Sequence, residues 1–144
     1  PRRGQGRGRG GGMGNAFHLW RPERRTTSVV FASPHSGRHH PPAFLKRAEI
    51  DAQGLRSSED AFVDHLFDCA PRHGAPFLAA GASRAFVDLN RAADELDPQL
   101  IEGVRRPAHN PRVASGLGVI PRVVAGGRPI HAGRIALEEA EARI

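Results

Sequence analysis

Cysteine occurs once in the 144 residues, as Cys69; tyrosine is absent, Trp20 is the only tryptophan and Lys46 the only lysine. One cysteine excludes an intramolecular disulfide scaffold and fits a reducing compartment. Cys69 falls on the apolar side of a predicted helix, as a small core residue rather than a nucleophile. No run of 18 apolar residues occurs, so no transmembrane helix is expected. The basic N-terminus lacks the continuous apolar segment of a secretory signal, and the expected location is the cytoplasm. Local metal and nucleotide motifs are also missing. There is no His-Glu-x-x-His, no Ser-His-Asp set with a nucleophile elbow, and Gly116-Leu117-Gly118 opens no predicted helix, which disfavours phosphate cradling.

What is present divides unevenly. The net charge of +6 sits in residues 1–25, where seven arginines face Glu23 alone; the rest of the chain carries 14 basic and 14 acidic residues. Residues 1–16 form a Gly/Arg-rich tail with little to bury, expected to be disordered. Such a tail can bind RNA through phosphate attraction and guanidinium stacking. The preferred reading is that it precedes the native start, since Met13 is the first methionine and the bias for arginine over lysine fits GC-rich coding. On that reading nucleic acid is not a partner. Residues 17–144 have enough apolar content for one modest domain or part of a larger one.

Along that body, 17–25 reads as an extended lead-in and 28–32 as the first strand. Pro41-Pro42 forces a turn, and a short helix follows over 43–47 with Pro42 at its first position. The spacing predicts a helix over 57–70, capped by Ser57, with Phe62, Leu66, Cys69 and Ala70 forming one buried stripe. Residues 76–80 and 85–89 read as strands. Residues 90–114 form a long, proline-containing loop, of the kind that is functional or mobile. A strand over 119–125 turns at Gly126-Gly127 into 128–130. A last helix begins at Arg134 and shows no cap or breaker before Ile144, so the sequence reads as a piece cut from a longer domain.

Three polar clusters stand at element ends, where α/β proteins gather ligands. Pro34-His35-Ser36-Gly37 holds an imidazole between a stiff approach and a free exit, as a metal ligand requires, although a loop histidine is often only solvated. Glu59 falls in a first helical turn, where the helix dipole favours a carboxylate in any case. It can equally complete a nitrogen/oxygen metal site with His35. Asn90-Arg91 follows a predicted strand, and a guanidinium fork there suits a substrate carboxylate. Asp88 either orients that arginine or forms a purely structural pair with it.

Four motifs in order make the pattern specific: Ser33-Pro34-His35-Ser36-Gly37; Ser58-Glu59-Asp60-Ala61-Phe62-Val63-Asp64; Val87-Asp88-Leu89-Asn90-Arg91 with Glu95-Leu96-Asp97-Pro98; and Gly116-Leu117-Gly118-Val119-Ile120-Pro121-Arg122. From about Phe17 to Ile144 the chain resembles the N-formylglutamate amidohydrolase family. It departs from the family pattern at 92–94, and His131 stands where an aromatic is usual.

The resemblance implies an α/β fold with a mixed central sheet flanked by helices, similar to zinc carboxypeptidase-like hydrolases and truncated here at its C-terminal side. It implies hydrolysis of N-formyl-L-glutamate to formate and glutamate in histidine degradation. His35 and Glu59 would be zinc ligands, with Asn90 and Arg91 binding the small-molecule substrate. A third ligand histidine and a catalytic carboxylate are expected in a later segment, which would leave this piece inactive by itself. The alternatives are a related zinc deacylase for another N-acyl amino acid, or RNA binding through the Arg-Gly tail.

Overall fold

A computed structural model describes residues 3–4, 16–104 and 110–144. Its sheet has four strands in the order β1-β2-β4-β3: β1 (Arg3–Gly4), β2 (Phe17–Trp20), β3 (Phe31–Ser33) and β4 (Phe77–Ala80). β2 runs antiparallel to β4, with Trp20 opposite Phe77, and β3 runs parallel to it, with Phe31 opposite Phe77. The sheet is therefore mixed, as expected. The lead-in at 17–25 proves to contain an inner strand, because Phe17–Trp20 finds partners on both sides. Within the 1–16 tail expected to lack structure, Arg3–Gly4 lie beside β2. The expectation for residues 1–2 and 5–15 falls outside the described residues.

The helices are short: α1 (Pro42–Arg47), α2 (Ala52–Leu55), α3 (Val63–Leu66), α4 (Pro111–Ala114) and α5 (Leu137–Glu141), with single 3-10 turns at Arg56–Ser58, Ala70–His73 and Ala125–Gly127. α1 starts on Pro42 as expected, where a missing N–H costs nothing. Asp51 caps α2, its carboxylate accepting from the Gly54 amide at 2.7 Å.

Three expected elements form only in part or not at all, each for a local reason. The helix expected over 57–70 breaks at Glu59, whose backbone is extended (φ −77°, ψ 136°). There the Asp60 amide donates to the His35 carbonyl at 3.0 Å, a tertiary bond that overrides helical periodicity. Ser57 does not cap; its hydroxyl donates back to the Gly54 carbonyl at 2.7 Å. Phe62 takes a left-handed backbone (φ 65°), and Phe62 and Leu66 of the expected buried stripe are 64% and 70% exposed.

The strand expected over 85–89 is a turn. The Ser83 carbonyl accepts from the Phe86 and Val87 amides, and its hydroxyl accepts from the Ala85 amide. This wraps Ala85, Phe86 and Val87 together into the core instead of alternating them. The strand expected over 119–125 reduces to one bridge, Val123 with Pro129, because Pro121 has no N–H to donate and Val119 is already bonded to the Glu95 carbonyl. The turn at Gly126-Gly127 is present, with both glycines at positive φ (76° and 73°).

Consequently the core rests largely on non-repetitive chain. Leu55, Phe86, Leu100, Ile101, Ile120, Val124, Ile130 and Ile135 form the main cluster, and Phe77, Ala79, Trp20 and Phe31 a smaller one around β4. The segment expected to be a loose loop after Asn90 contributes Leu100 and Ile101 to the main cluster, so it packs as core up to Val104; 105–109 lie outside the described residues.

Candidate functional site

β3 delivers His35. After Ser33 the chain turns through Pro34, with the Ser33 and Ser36 hydroxyls 2.6 Å apart and buried. Gly37 then passes against the backbone of residues 81–82, where a Cβ would lie 2.0 Å from the Ala82 carbonyl oxygen. Only glycine permits that approach. Beyond it the His39 amide donates to Gly81 and the Ser83 amide to His39. The turn is pinned on both sides, and His35 is 7% exposed.

Its ring has two carboxylate neighbours. Nε2 lies 2.7 Å from Asp88 Oδ1, and Nδ1 lies 3.3 Å from Asp60 Oδ2. Asp88 is buried, and its oxygens also accept from the Asn90 amide (2.9 Å) and from Arg84 Nε (3.0 Å). Burial by itself raises the Asp88 carboxyl, but the His35 and Asn90 bonds and the charges of His35 and Arg84 outweigh it and bring it to about 2. An ionised Asp88 only accepts, so His35 Nε2 must donate. Nδ1 then either donates to the Asp60 carboxylate, if the ring carries both protons, or turns a lone pair toward it. In the second case two acceptors face each other, and a cation between them would reconcile them.

Asp88 is held in place by the other motifs. Its amide donates to the Val119 carbonyl at 2.8 Å, and Val119 in turn donates to Glu95. A Cβ on Gly118 would lie 2.5 Å from the Glu95 carbonyl oxygen, so glycine allows the two segments to meet. Asp97, buried, accepts from Arg122 Nε and from the Gln99 amide, each at 2.8 Å. The segments 95–98 and 116–122 thus form a brace for Asp88.

The expected site residues are distributed as follows. Glu59 is brought into the neighbourhood of His35 by the Asp60–His35 backbone bond, but its own partners are arginines: Arg38 Nε at 2.9 Å and Arg56 Nε at 2.7 Å. Arg38 also grips Asp64 with two bonds of 2.9 Å, which holds the Asp64 carboxyl below its usual range. Glu59 Oε1 is buried and, for all its proximity to Arg38, accepts no aligned hydrogen bond. Arg91 lies near Asp88 (4.0 Å) and Glu95 (3.6 Å), its side chain 10% exposed and its Nε without a hydrogen bond. Asn90 is exposed, and only its amide bonds Asp88.

Three residues escaped the sequence reading. Asp60, Arg84 and Arg38 were assigned no site role from the sequence, and tertiary contact gives them their partners. Asp60 alone left a signal, since it sits beside Glu59 in the same motif. Among the described residues no group of three His, Cys, Asp or Glu is arranged to hold a metal ion. Two of the groups a metal would need are in contact: the His35 ring, oriented by a carboxylate on its far side as protein metal ligands are, and Asp60, a hard donor; both oxygens of Glu59 are engaged by Arg38 and Arg56.

A cleft of about 420 Å³ opens beside these groups, lined by Ser58, Glu59, Asp60, Arg84, Pro121 and Gly126 among others. A larger one, about 740 Å³, lies between α1 and α5 and shares no residue with the His35 cluster. Size favours the second and chemistry the first; the reacting groups decide.

Buried charge gathered at turns off a mixed sheet marks an α/β protein built around a histidine–carboxylate–arginine centre. Within that class the match is specific: residues 27–144 fit the model of the N-formylglutamate amidohydrolase family, and the chain belongs to it. It is 28% identical over 109 residues to an N-formylglutamate deformylase from Pseudomonas aeruginosa, spanning 76% of this chain and 36% of that protein. It superposes on the crystal structure of N-formylglutamate amidohydrolase from Ralstonia eutropha JMP134 with a TM-score of 0.80 at 34% identity, covering 90% of this chain and 46% of that one. The chain thus spans less than half the length of either relative. No helix among the described residues is long and apolar enough to cross a membrane.

Proposed function

We propose that this chain carries part of the active centre of a metal-dependent enzyme that hydrolyses N-formyl-L-glutamate to formate and glutamate, in the cytoplasm and in the service of histidine breakdown. The observation that carries the reading is the His35 ring, with Nε2 2.7 Å from Asp88 and Nδ1 3.3 Å from Asp60. His35 would hold the metal through Nδ1. Asp60 is the carboxylate the geometry favours beside it, with Glu59 as the neighbouring donor. Zinc, the metal the family resemblance suggests, supplies a bound water of pKa ~7 and a Lewis acid for the formyl oxygen.

The rest falls to protein groups. Asp88 keeps His35 in one tautomer and orientation, so the lone pair is never lost to rotation. Arg38 and Arg56 hold the Glu59 carboxylate in place. Arg84, bound to Asp88 through Nε and lining the cleft, offers its remaining donors to a substrate oxygen that gains negative charge. Arg91, nearly enclosed and with an unused Nε, is the group for a glutamyl carboxylate, with Asn90 at the rim.

The test is calorimetric titration of Zn²⁺ into the chain and into His35→Ala, Asp60→Asn and Glu59→Gln, with formate release assayed alongside. Loss of binding in His35→Ala, and a weaker loss of about 10- to 100-fold in a carboxylate variant, supports the reading. Unchanged affinity in all three refutes it.

A further inference from the structure

Arg38 leaves the His35 turn just after Gly37, where the backbone is pressed against residues 81–82. Its side chain reaches the segment that carries Asp60 and meets it twice. Nη1 and Nη2 grip the Asp64 carboxylate, each at 2.9 Å, and Nε lies 2.9 Å from Glu59 Oε1. The two anchors flank Asp60 in the chain. The Glu59 side chain is 4% exposed, so the nearer anchor is a carboxylate enclosed against arginines. The segment's backbone is shaped to bring both anchors to one guanidinium. Glu59 is extended, which sends its side chain and that of Asp60 to opposite sides, one to Arg38 and the other to His35. Phe62 then takes left-handed backbone (φ 65°), which side chains rarely adopt, with its ring mostly exposed. The reversal there returns Asp64 to Arg38. Strained backbone of this kind persists where the surroundings hold it.

We propose that Arg38 is a positioning residue: its guanidinium, closed on Glu59 and Asp64 together, holds the Asp60 carboxylate against His35 Nδ1. Arg56 cannot do this. It also pairs with Glu59, but it stands three residues earlier on the same segment and ties that segment only to itself. Apart from Arg38, the segment is joined to the His35 turn by the Asp60 amide, which donates to the His35 carbonyl at 3.0 Å, and by the Asp60–His35 side-chain contact itself. A lysine is no substitute, because a single ammonium lacks the fork that meets one carboxylate with two nitrogens and a second with the third. The inference rests on the reading of His35 and Asp60 as one centre and adds the group that sets their separation.

The experiment compares the full chain with Arg38→Met, Arg38→Lys and Arg56→Met. Amide hydrogen exchange and the His35 ring nitrogen resonances are recorded first without metal, and Zn²⁺ alone is then titrated. Arg38→Met should speed exchange of the Asp60 amide by about tenfold or more, the loss of charge-assisted bonds, and displace the Nδ1 resonance. The Phe31 amide, bonded to the Pro76 carbonyl in the sheet, should exchange as in the parent. That reference separates the release of one segment from loss of the fold. Arg38→Lys should follow Arg38→Met, and Arg56→Met should stay near the parent in both signals. An Asp60 amide indifferent to Arg38→Met, an equal acceleration at Phe31, parental behaviour of Arg38→Lys, or an Arg56→Met effect as large as that of Arg38→Met would each overturn the proposal. A parent that takes up no Zn²⁺ while Arg38→Met still frees Asp60 sinks only the metal reading. Zn²⁺ uptake by a parent whose Asp60 amide ignores Arg38 sinks only this one.

Discussion

Asp88 and Asp60 flank one imidazole yet do different work. Asp88 is 1% exposed and takes bonds from His35, Asn90 and Arg84 around a charge that water cannot reach. Replacing it with alanine strands those donors, and a loss of about 3–5 kcal/mol is expected in chemical denaturation. The Asp60 carboxylate is half exposed, so Asp60→Asn should leave stability within about 1 kcal/mol while weakening Zn²⁺ binding. Equal destabilisation by both would show that the two carboxylates do not divide in this way. His35 and Arg91 were legible because each stands in a short motif at an expected element end. Asp60, Arg38 and Arg84 were not, since a charged residue shows its partner only once the chain has folded.

At the scale of elements, sequence pattern succeeded where local chemistry decides and failed where tertiary bonds do. Pro42 starting α1 and the Gly126-Gly127 turn follow from proline's fixed φ and glycine's freedom, and both are present. The helix over 57–70 had the right periodicity but yields at Glu59, because delivering Asp60 to His35 requires extended backbone there. The strand over 85–89 lost to the bonds Ser83 makes forward. One element-level consequence is testable. Gly37→Ala drives a methyl into the Ala82 carbonyl, so the loop carrying His35 must shift. A loss of about 1–3 kcal/mol in stability is expected, together with weaker Zn²⁺ binding. Gly133→Ala, where an added Cβ meets nothing within 4 Å, should lose far less stability, and a Gly37→Ala protein as stable as the parent would contradict the close approach.

Across the whole molecule the mixed sheet and its flanking helices were legible in outline, and the dominance of non-repetitive chain in the core was not. Leu100, Ile101, Ile120 and Ile130 are spaced by prolines and glycines, which reads as loop although the residues are buried. One global property follows from His131, which is packed near Phe44 and Arg143. Burial, aided by the Arg143 charge, lowers it from 6.5 to about 4. The unfolded chain therefore binds a proton that the folded one refuses between those values. The His131 contribution is fully present above pH 6.5 and is lost as pH falls toward 4. His131→Phe should flatten the stability profile in that window, and an unchanged acid slope would assign the dependence to other groups.

The most direct measurement is the long-range proton–nitrogen NMR spectrum of His35, recorded before and after addition of Zn²⁺. The expected spectrum shows a proton on Nε2 and, on adding zinc, a shift centred on Nδ1 that Asp60→Asn diminishes. A neutral ring protonated on Nδ1, or a spectrum indifferent to zinc, would contradict the central claim that this imidazole is held ready to take a cation.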